Sequence, residues 1–280
     1  MKKINISDIT LKKLAQDTKV SLLFREKTAI AACADSLGID AIELAPIKSL
    51  REDTIIYKTI AQNVVNATVT IPVGFSKDDV AAAWECVKDA KKPRLQVELP
   101  TSTVQMEYTY HIKEEKMLVK VAELTCEAKK YCKNVEFSAL DATRADERFL
   151  IETAKEAEKN GASVITICDC AGTSLPEEIA QLVKKIKDAV KIPVYVQVSN
   201  HINMAVAAAI AAIDAGAEGL KCSMTGKDTL LMGEISDALN AREDKIGVKT
   251  GLKNTRIHAS IDDMLASISH QAYETESSVS

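Results

Sequence analysis

The chain has 280 residues, of which 46% are hydrophobic, so it can bury a large core in a single domain. Its formal net charge is −4, and its lysines are scattered among acidic neighbours without an arginine-rich run, which argues against a nucleic-acid-binding surface. The first residues turn polar too early for a signal peptide, and the apolar stretch Met204–Ile213 is too short to cross a bilayer. We therefore expect a cytoplasmic protein, and its seven irregularly spaced cysteines are typical of reduced thiols.

Short β-branched runs alternate with longer amphipathic patterns eight times along the chain. The predicted strands are Ile4–Ser7, Ala41–Leu44, Ala67–Ile71, Leu95–Leu99, Val135–Ser138, Val164–Cys168, Val194–Val198 and Gly219–Cys222. The predicted helices are Arg25–Leu37, Arg51–Val64, Lys77–Ala90, Lys113–Cys132, Ala145–Lys159, Pro176–Ala189, Asn203–Ala215 and Leu230–Ala241.

This alternation predicts an α/β fold, specifically a (β/α)8 TIM barrel. A doubly wound open sheet is the alternative, but it usually has fewer strands and a glycine-rich first loop, and neither G-x-G-x-x-G nor G-x-x-x-x-G-K occurs here. We expect one barrel domain over residues 1–246. A tail over residues 247–280 is expected to hold a short helix, Ser260–Ser269, and a polar end, Glu274–Ser280.

Active sites of such barrels gather at the carboxyl-terminal ends of the strands, which selects the polar residues to examine. They are Lys12, Lys13, Glu43, Glu98, Thr101, Ser102, Glu136, Ser138, Asp141, Arg144, Asp169, Gln197, Ser199, Asn200 and Cys222.

Several of these positions lie in longer motifs. Residues 135–144 read V-E-F-S-A-L-D-A-T-R, residues 37–43 read L-G-I-D-A-I-E, and Asp169 is followed by Gly172 and by Pro176-Glu177-Glu178. With these motifs the chain resembles the homocitrate synthase, 2-isopropylmalate synthase and HMG-CoA lyase superfamily of metal-dependent (DRE-TIM) barrels, over about residues 3–245.

The resemblance implies a divalent cation held by an aspartate after strand one, two histidines on strand seven and an asparagine beyond strand eight. That cation would polarise a 2-oxo acid for acyl transfer from acetyl-CoA, or act in the reverse, lyase direction. In this chain the four ligand positions are Lys13, Gln197, Ser199 and, with the least secure alignment, Gly233. The arginine that the resemblance implies for substrate binding is replaced by Lys12. Other family positions are filled by Gln105, Leu140 and Cys170.

Ammonium, amide and hydroxyl groups are poor partners for a divalent ion, so we expect no metal and no other cofactor. The candidate catalytic residues are Lys12, Lys13, Glu43, Glu136, Asp141 and Arg144. For the three acids we favour a structural role, in hydrogen bonds and salt bridges of the barrel, over a catalytic one. The candidate substrate-binding residues are Lys12, Thr101, Ser102, Asp169, Gln197, Ser199 and Asn200.

Two classes of function follow. The first is a non-catalytic or partner subunit that binds a small carboxylate or a catalytic, synthase-like paralogue. The second is a metal-independent aldolase, lyase or acyltransferase in which Lys12 and Lys13 stabilise negative charge. By the resemblance we expect a homodimer or a heteromer with such a paralogue, with neither nucleic acid nor membrane as a partner.

Overall fold

The computed structural model describes the backbone of residues 1–277 and the side chains of residues 1–268. Eight parallel strands form a closed barrel and follow one another around it in chain order, as the alternation predicts. The barrel strands, numbered one to eight here, are Asn5–Asp8, Ala41–Glu43, Thr68–Pro72, Pro93–Pro100, Val135–Leu140, Val164–Cys168, Val194–Gln197 and Gly219–Cys222. Strand one closes the ring against strand eight, with Asn5 beside Gly219 and Asp8 beside Cys222.

Helices surround the barrel and connect successive strands. The main helices are Thr10–Gln16, Phe24–Ser36, Leu50–Asn63, Lys77–Val87, Glu114–Tyr131, Glu147–Lys159, Pro176–Ala189, Ala205–Asp214 and Met232–Ala241. Their starts follow ordinary capping chemistry. The Ser76 hydroxyl, for example, accepts a hydrogen bond from the Asp79 amide at 3.2 Å, and Asp146 accepts one from the Phe149 amide at 3.0 Å.

Several short helical segments were not predicted, and two of them bear on the candidate site. Thr10–Gln16 forms a helix immediately after strand one, so Lys12 and Lys13 lie on a helical turn rather than at the strand end. A π-helical turn, Gln105–Thr109, follows strand four. Both lie in loops at the carboxyl-terminal end of the barrel, where strand-and-helix alternation carries no information about the local backbone.

The tail packs against the outside of the barrel. Val248–Lys249 pairs in parallel with Lys2–Lys3, and the last helix, Ile257–Ser277, is longer than the predicted Ser260–Ser269. The Lys253 amide donates to the Leu37 carbonyl at 2.9 Å. Gly38 is required at this crossing because it has a φ of +82° and an added Cβ would collide with the Gly251 carbonyl. Residues 278–280 of the predicted polar end lie outside the described residues.

The strands divide their side chains between two environments by the two-residue period of β structure. Outward-facing residues such as Ile6, Ile42 and Phe137 are fully buried against the helices and belong to the apolar core. The alternate residues point into the barrel, and many of them are polar or charged. Within the described residues, no helix is long and apolar enough to span a membrane.

Candidate functional site

Lys221 lies at the centre of the barrel interior and is fully buried. Its ammonium forms an ion pair with Glu136 Oε1 at 2.5 Å and a second ion pair with Glu43. Strands two, five and eight therefore meet through one lysine and two carboxylates. Burial alone would lower the pKa of Lys221, but the two carboxylates outweigh it and raise that pKa above its usual range.

Strand four adds two further polar groups to this cluster. Gln96 Nε2 donates to Glu43 Oε2 at 3.1 Å and to Glu136 Oε1 at 3.0 Å. Arg94 Nη1 lies 3.3 Å from Glu136 Oε2. Burial favours the neutral form of Glu136, yet Lys221 and Arg94 hold its pKa well below the usual range of a glutamate. Glu136 is thus an anion fixed between two cations.

Lys12 closes the cluster on the side of the barrel mouth. Its ammonium pairs with Glu98, lies 3.5 Å from Glu43 Oε2 and donates to Gln96 Oε1 at 3.4 Å. Burial opposes its charge, but Glu98 and Glu43 raise the pKa of Lys12 overall.

Ion pairs therefore run along the barrel axis from Arg94 through Glu136, Lys221, Glu43 and Lys12 to Glu98. We call this set the axial ion chain. Among the described residues it holds three cations and three carboxylates, so its formal charge is balanced.

Lys13 has a different environment from its neighbour Lys12. It is partly buried, and its ammonium has neither an ion pair nor a hydrogen bond within residues 1–268. Desolvation lowers the pKa of Lys13 and the adjacent Lys12 charge lowers it further, although nearby Cys170 opposes the shift. Lys13 is therefore a cation at the mouth whose charge no carboxylate pairs with directly.

Asp141 and Arg144 form a local structural unit after strand five. Arg144 binds the Asp141 carboxylate through Nε at 2.9 Å and Nη2 at 2.7 Å, while the Ser102 hydroxyl donates to the same carboxylate at 2.5 Å. Asp141 is fully buried with a φ of +57°, so these contacts hold a left-handed turn. The Thr101 hydroxyl donates to the Leu140 carbonyl at 2.9 Å, which also ties the loop after strand four to this turn.

The residues predicted around strands six and seven also lie together. Asp169 Oδ1 accepts hydrogen bonds from the Thr143 hydroxyl at 2.9 Å and the Gly172 amide at 3.0 Å. The Ser199 hydroxyl donates to the Asp169 carbonyl at 2.7 Å. Asn200 Oδ1 accepts from the Ala205 amide at 3.0 Å and so stabilises the start of the next helix. Asp169, Ser199 and Asn200 are thus engaged locally.

Gln197 differs from these residues because its partly exposed side chain has no hydrogen-bond partner in the described part of the chain. By the strand period, Gln197 faces the barrel interior at the mouth. It is free to donate to or accept from a ligand.

A cavity of about 630 Å³ opens at the mouth beside Glu98, between the loops that follow strands two to five. Its wall is largely apolar and includes Leu50, Val73 and a stacked pair, Phe75 and Tyr110, whose ring centroids are 5.3 Å apart. The volume lies in the range of small-molecule sites.

The donor set at the implied metal position does not fit a divalent cation. Lys13 supplies an ammonium and Gln197 supplies an amide. The Ser199 hydroxyl is already hydrogen-bonded to the Asp169 carbonyl. Gly233 has no side chain to offer and packs against the His258 imidazole. Within residues 1–268, no group of three or more His, Cys, Asp or Glu side chains is placed to hold a metal ion. The nearby carboxylates Glu43 and Glu136 are neutralised by lysine and arginine.

Lys221, Arg94 and Gln96 were not predicted as site residues, because they lie within strands eight and four and not at strand ends. A signal was present, because Arg94, Gln96 and Glu98 alternate with Leu95, Val97 and Leu99 in a strand of a barrel that is buried on both sides. A charged alternate residue in such a strand must face the interior and find a partner there.

The eight parallel strands and the surrounding helices define a (β/α)8 barrel, with polar side chains at the carboxyl-terminal ends of its strands. The HMGL-like family model matches residues 3–263, and the chain belongs to this family.

The chain is 33% identical over 264 residues to a 2-isopropylmalate synthase of Clostridium kluyveri, covering 91% of this chain and 51% of that protein. It is 34% identical over 260 residues to a 2-isopropylmalate synthase of Halalkalibacterium halodurans, covering 90% of this chain and 50% of the relative. The chain spans about half the length of these relatives.

Solved structures share the fold at lower sequence identity. An HMG-CoA lyase from Brucella melitensis has a TM-score of 0.79 and 12% identity, covering 96% of this chain and 100% of that chain. An HMG-CoA lyase from Acinetobacter baumannii, in complex with coenzyme A and 3-methylmalate, has a TM-score of 0.78 and 13% identity, covering 94% of this chain and 90% of that chain. These likenesses confirm the predicted barrel.

Proposed function

We propose that this chain is a homocitrate synthase- or 2-isopropylmalate synthase-like barrel that has lost the divalent-metal site and acts as a non-catalytic or partner subunit. It binds a small carboxylate at its mouth, or a catalytic synthase-like relative. The observation that carries the proposal is the combination of a charge-balanced axial ion chain with an unpaired Lys13 at the position where the resemblance implies an acidic metal ligand.

Charge favours an anionic ligand at this position. An ammonium repels a divalent cation and attracts a carboxylate, and partial burial strengthens both effects. The unpaired amide of Gln197 offers a hydrogen-bond donor for a carboxylate oxygen. A related barrel, the Acinetobacter baumannii lyase, was solved with the dicarboxylate 3-methylmalate, which supports a ligand of this class.

A metal-independent aldolase, lyase or acyltransferase is the second candidate. The lowered pKa of Lys13, caused mainly by desolvation, favours it because a neutral amine can form a Schiff base with a carbonyl compound. Lys12 does not contribute a free cation to this chemistry, since its ammonium is engaged by Glu98 and Glu43. The second candidate therefore depends on Lys13 alone.

Native purification followed by mass spectrometry and elemental analysis tests the assembly and the metal together. We expect a homodimer or a fixed-ratio complex with a synthase-like chain, and substoichiometric Mn and Zn. Stoichiometric divalent metal in the purified protein would contradict the proposed loss of the site.

Titration with 3-methylmalate tests the ligand. Lys13→Met should weaken binding about tenfold or more, because a hydrogen bond to a charged group contributes roughly 1.5–3 kcal/mol. The matched control is Lys227→Met, which removes an exposed lysine from the loop after strand eight. Equal affinities of the wild type and Lys13→Met would remove the carboxylate-binding role.

Borohydride reduction in the presence of pyruvate separates the two candidates. A covalent adduct at Lys13 would favour the second candidate, and its absence together with carboxylate binding would favour the first.

A further inference from the structure

A second cavity, which is polar, lies at the opposite, amino-terminal end of the barrel. Its volume is about 200 Å³, and it is lined by residues from the starts of strands one, two, three, four and seven and from the loops before them. Of its ten lining residues, only Ile39 and Ala41 are apolar. Arg94 is the one member of the axial ion chain among the lining residues, and none of the candidate residues of the mouth lines this cavity.

Two buried side chains reach this cavity with hydrogen-bonding capacity to spare. The Ser7 hydroxyl is buried and has no hydrogen-bond partner among the described residues. Arg94 is 8% exposed, and its Nε donates to Asn134 Oδ1 at 3.0 Å while Nη1 pairs with Glu136. Arg94 also forms a hydrogen bond with the Tyr195 side chain. A guanidinium has five N–H groups, so these three contacts still leave donors available to a ligand.

The remaining polar groups make the cavity rich in donors. Lys92 lies at its edge, where the ammonium donates to the Asn66 carbonyl at 2.6 Å. Asp40 is the one carboxylate among the lining residues, and it is already engaged by Lys3 at 2.5 Å and by the Ile6 amide at 2.9 Å. The lining thus offers positive charge and free donors, with its carboxylate neutralised.

Tyr195 closes one side of the cavity. Its ring lies over Gly219, where an added Cβ would be 2.6 Å from the ring, so only glycine admits the aromatic at this position. Burial raises the pKa of the Tyr195 phenol despite the nearby Arg94, so the hydroxyl remains a donor at neutral pH.

We infer that this cavity is a binding site for a small inorganic oxyanion of the size and charge of phosphate, held by Arg94, Lys92 and the Ser7 hydroxyl. The match is one of chemistry: guanidinium, ammonium and hydroxyl groups are the usual ligands of such anions, and the cavity is large enough to hold one together with water. This site is separate from the carboxylate site proposed at Lys13, which lies at the other end of the barrel.

Inorganic phosphate is the probe, titrated at pH 7 and constant ionic strength and followed by calorimetry and by the thermal midpoint. The wild type should bind phosphate and be stabilised by it, since a ligand that binds only the folded state raises stability. Ser7→Ala should bind about tenfold more weakly yet melt like the wild type without phosphate, because its hydroxyl has no protein partner to lose. Lys92→Met should weaken binding comparably.

Lys227→Met is the matched control, because it removes an exposed lysine from the opposite end of the barrel. It should leave phosphate affinity unchanged. Two results would overturn the inference: no phosphate binding in the wild type, which would mean that the cavity holds only water, or loss of binding in Lys227→Met with Ser7→Ala unaffected.

Discussion

The interior of the barrel and its carboxyl-terminal mouth differ in how they compensate charge, and the adjacent residues Lys12 and Lys13 mark the boundary. Lys12 is buried among Glu98, Glu43 and Gln96, and its pKa is raised by those carboxylates. Lys13 lies one residue further along the same helix, has no partner in the described structure, and has a lowered pKa. Residue type alone therefore does not distinguish a structural cation from one available to a ligand; the neighbouring carboxylates do.

The largest expected effect comes from breaking the axial ion chain at its centre. Lys221→Met removes the cation shared by Glu43 and Glu136 and leaves two buried carboxylates short of a partner. Removing one member of a buried ion pair destabilises a protein by about 3–5 kcal/mol. Urea unfolding should show a decrease of this size in the free energy of unfolding, or the variant should fail to fold.

An exposed ion pair provides the contrast. Lys185→Met removes the Lys185–Glu147 contact of 2.5 Å on the helical surface, where both side chains are well exposed. This change should alter stability by less than about 1 kcal/mol. If Lys221→Met were as mild as Lys185→Met, the ion pairs of the barrel interior would contribute no more to stability than exposed ones.

The next effect concerns Asp8, a buried carboxylate outside the axial ion chain. Oδ1 accepts a hydrogen bond from the Thr10 hydroxyl at 2.5 Å, while Oδ2 has no partner in the described residues. Burial raises the pKa of Asp8 from 3.8 to about 7. The folded state therefore holds a proton that the unfolded state releases between these values, so stability should fall as pH rises through this window.

Asp8→Asn should remove this pH dependence while keeping the size of the side chain. A shift of this size corresponds to at most about 4 kcal/mol between pH 4 and pH 7. The measurement is the difference in unfolding free energy between the variant and the wild type at several pH values. In this difference the contributions of the other carboxylates to the pH dependence cancel. A constant difference across that range would show that Asp8 titrates normally.

The barrel itself could be predicted because its determinants are local. Each predicted strand overlaps the observed one, because β-branched runs and the glycines that end helices can be recognised directly in the sequence. The loops at the mouth were less predictable. The helix Thr10–Gln16 was missed, although its position decides that Lys12 and Lys13 point to different surroundings.

The site could be predicted as a set of residues but not as a pattern of contacts. The Asp141–Arg144 pair joins residues that are three positions apart, so both members lie in one motif of the sequence. The axial ion chain was not, because Glu43, Glu136 and Lys221 come from strands two, five and eight and meet only when the barrel closes. Which lysine is left unpaired depends on that closure.

The smallest expected effect is also the one that most sharpens the contrast between interior and mouth. Lys13→Met should change the unfolding free energy by less than about 1 kcal/mol at pH 7. The change should be stabilising, because a partly desolvated charge without a partner is removed.

The stability difference between Lys13→Met and the wild type should also depend on pH. The pKa of Lys13 in the folded state lies below the ordinary value of 10.5. Between the folded-state pKa and the ordinary value the unfolded state binds more protons, so wild-type stability should rise with pH there. The advantage of Lys13→Met should therefore shrink as the pH approaches 10, as measured by urea unfolding of both proteins. If Lys13→Met instead destabilised the protein by an amount comparable to Lys221→Met, Lys13 would have to be a paired structural cation like Lys12, and the mouth would offer no free charge to a ligand.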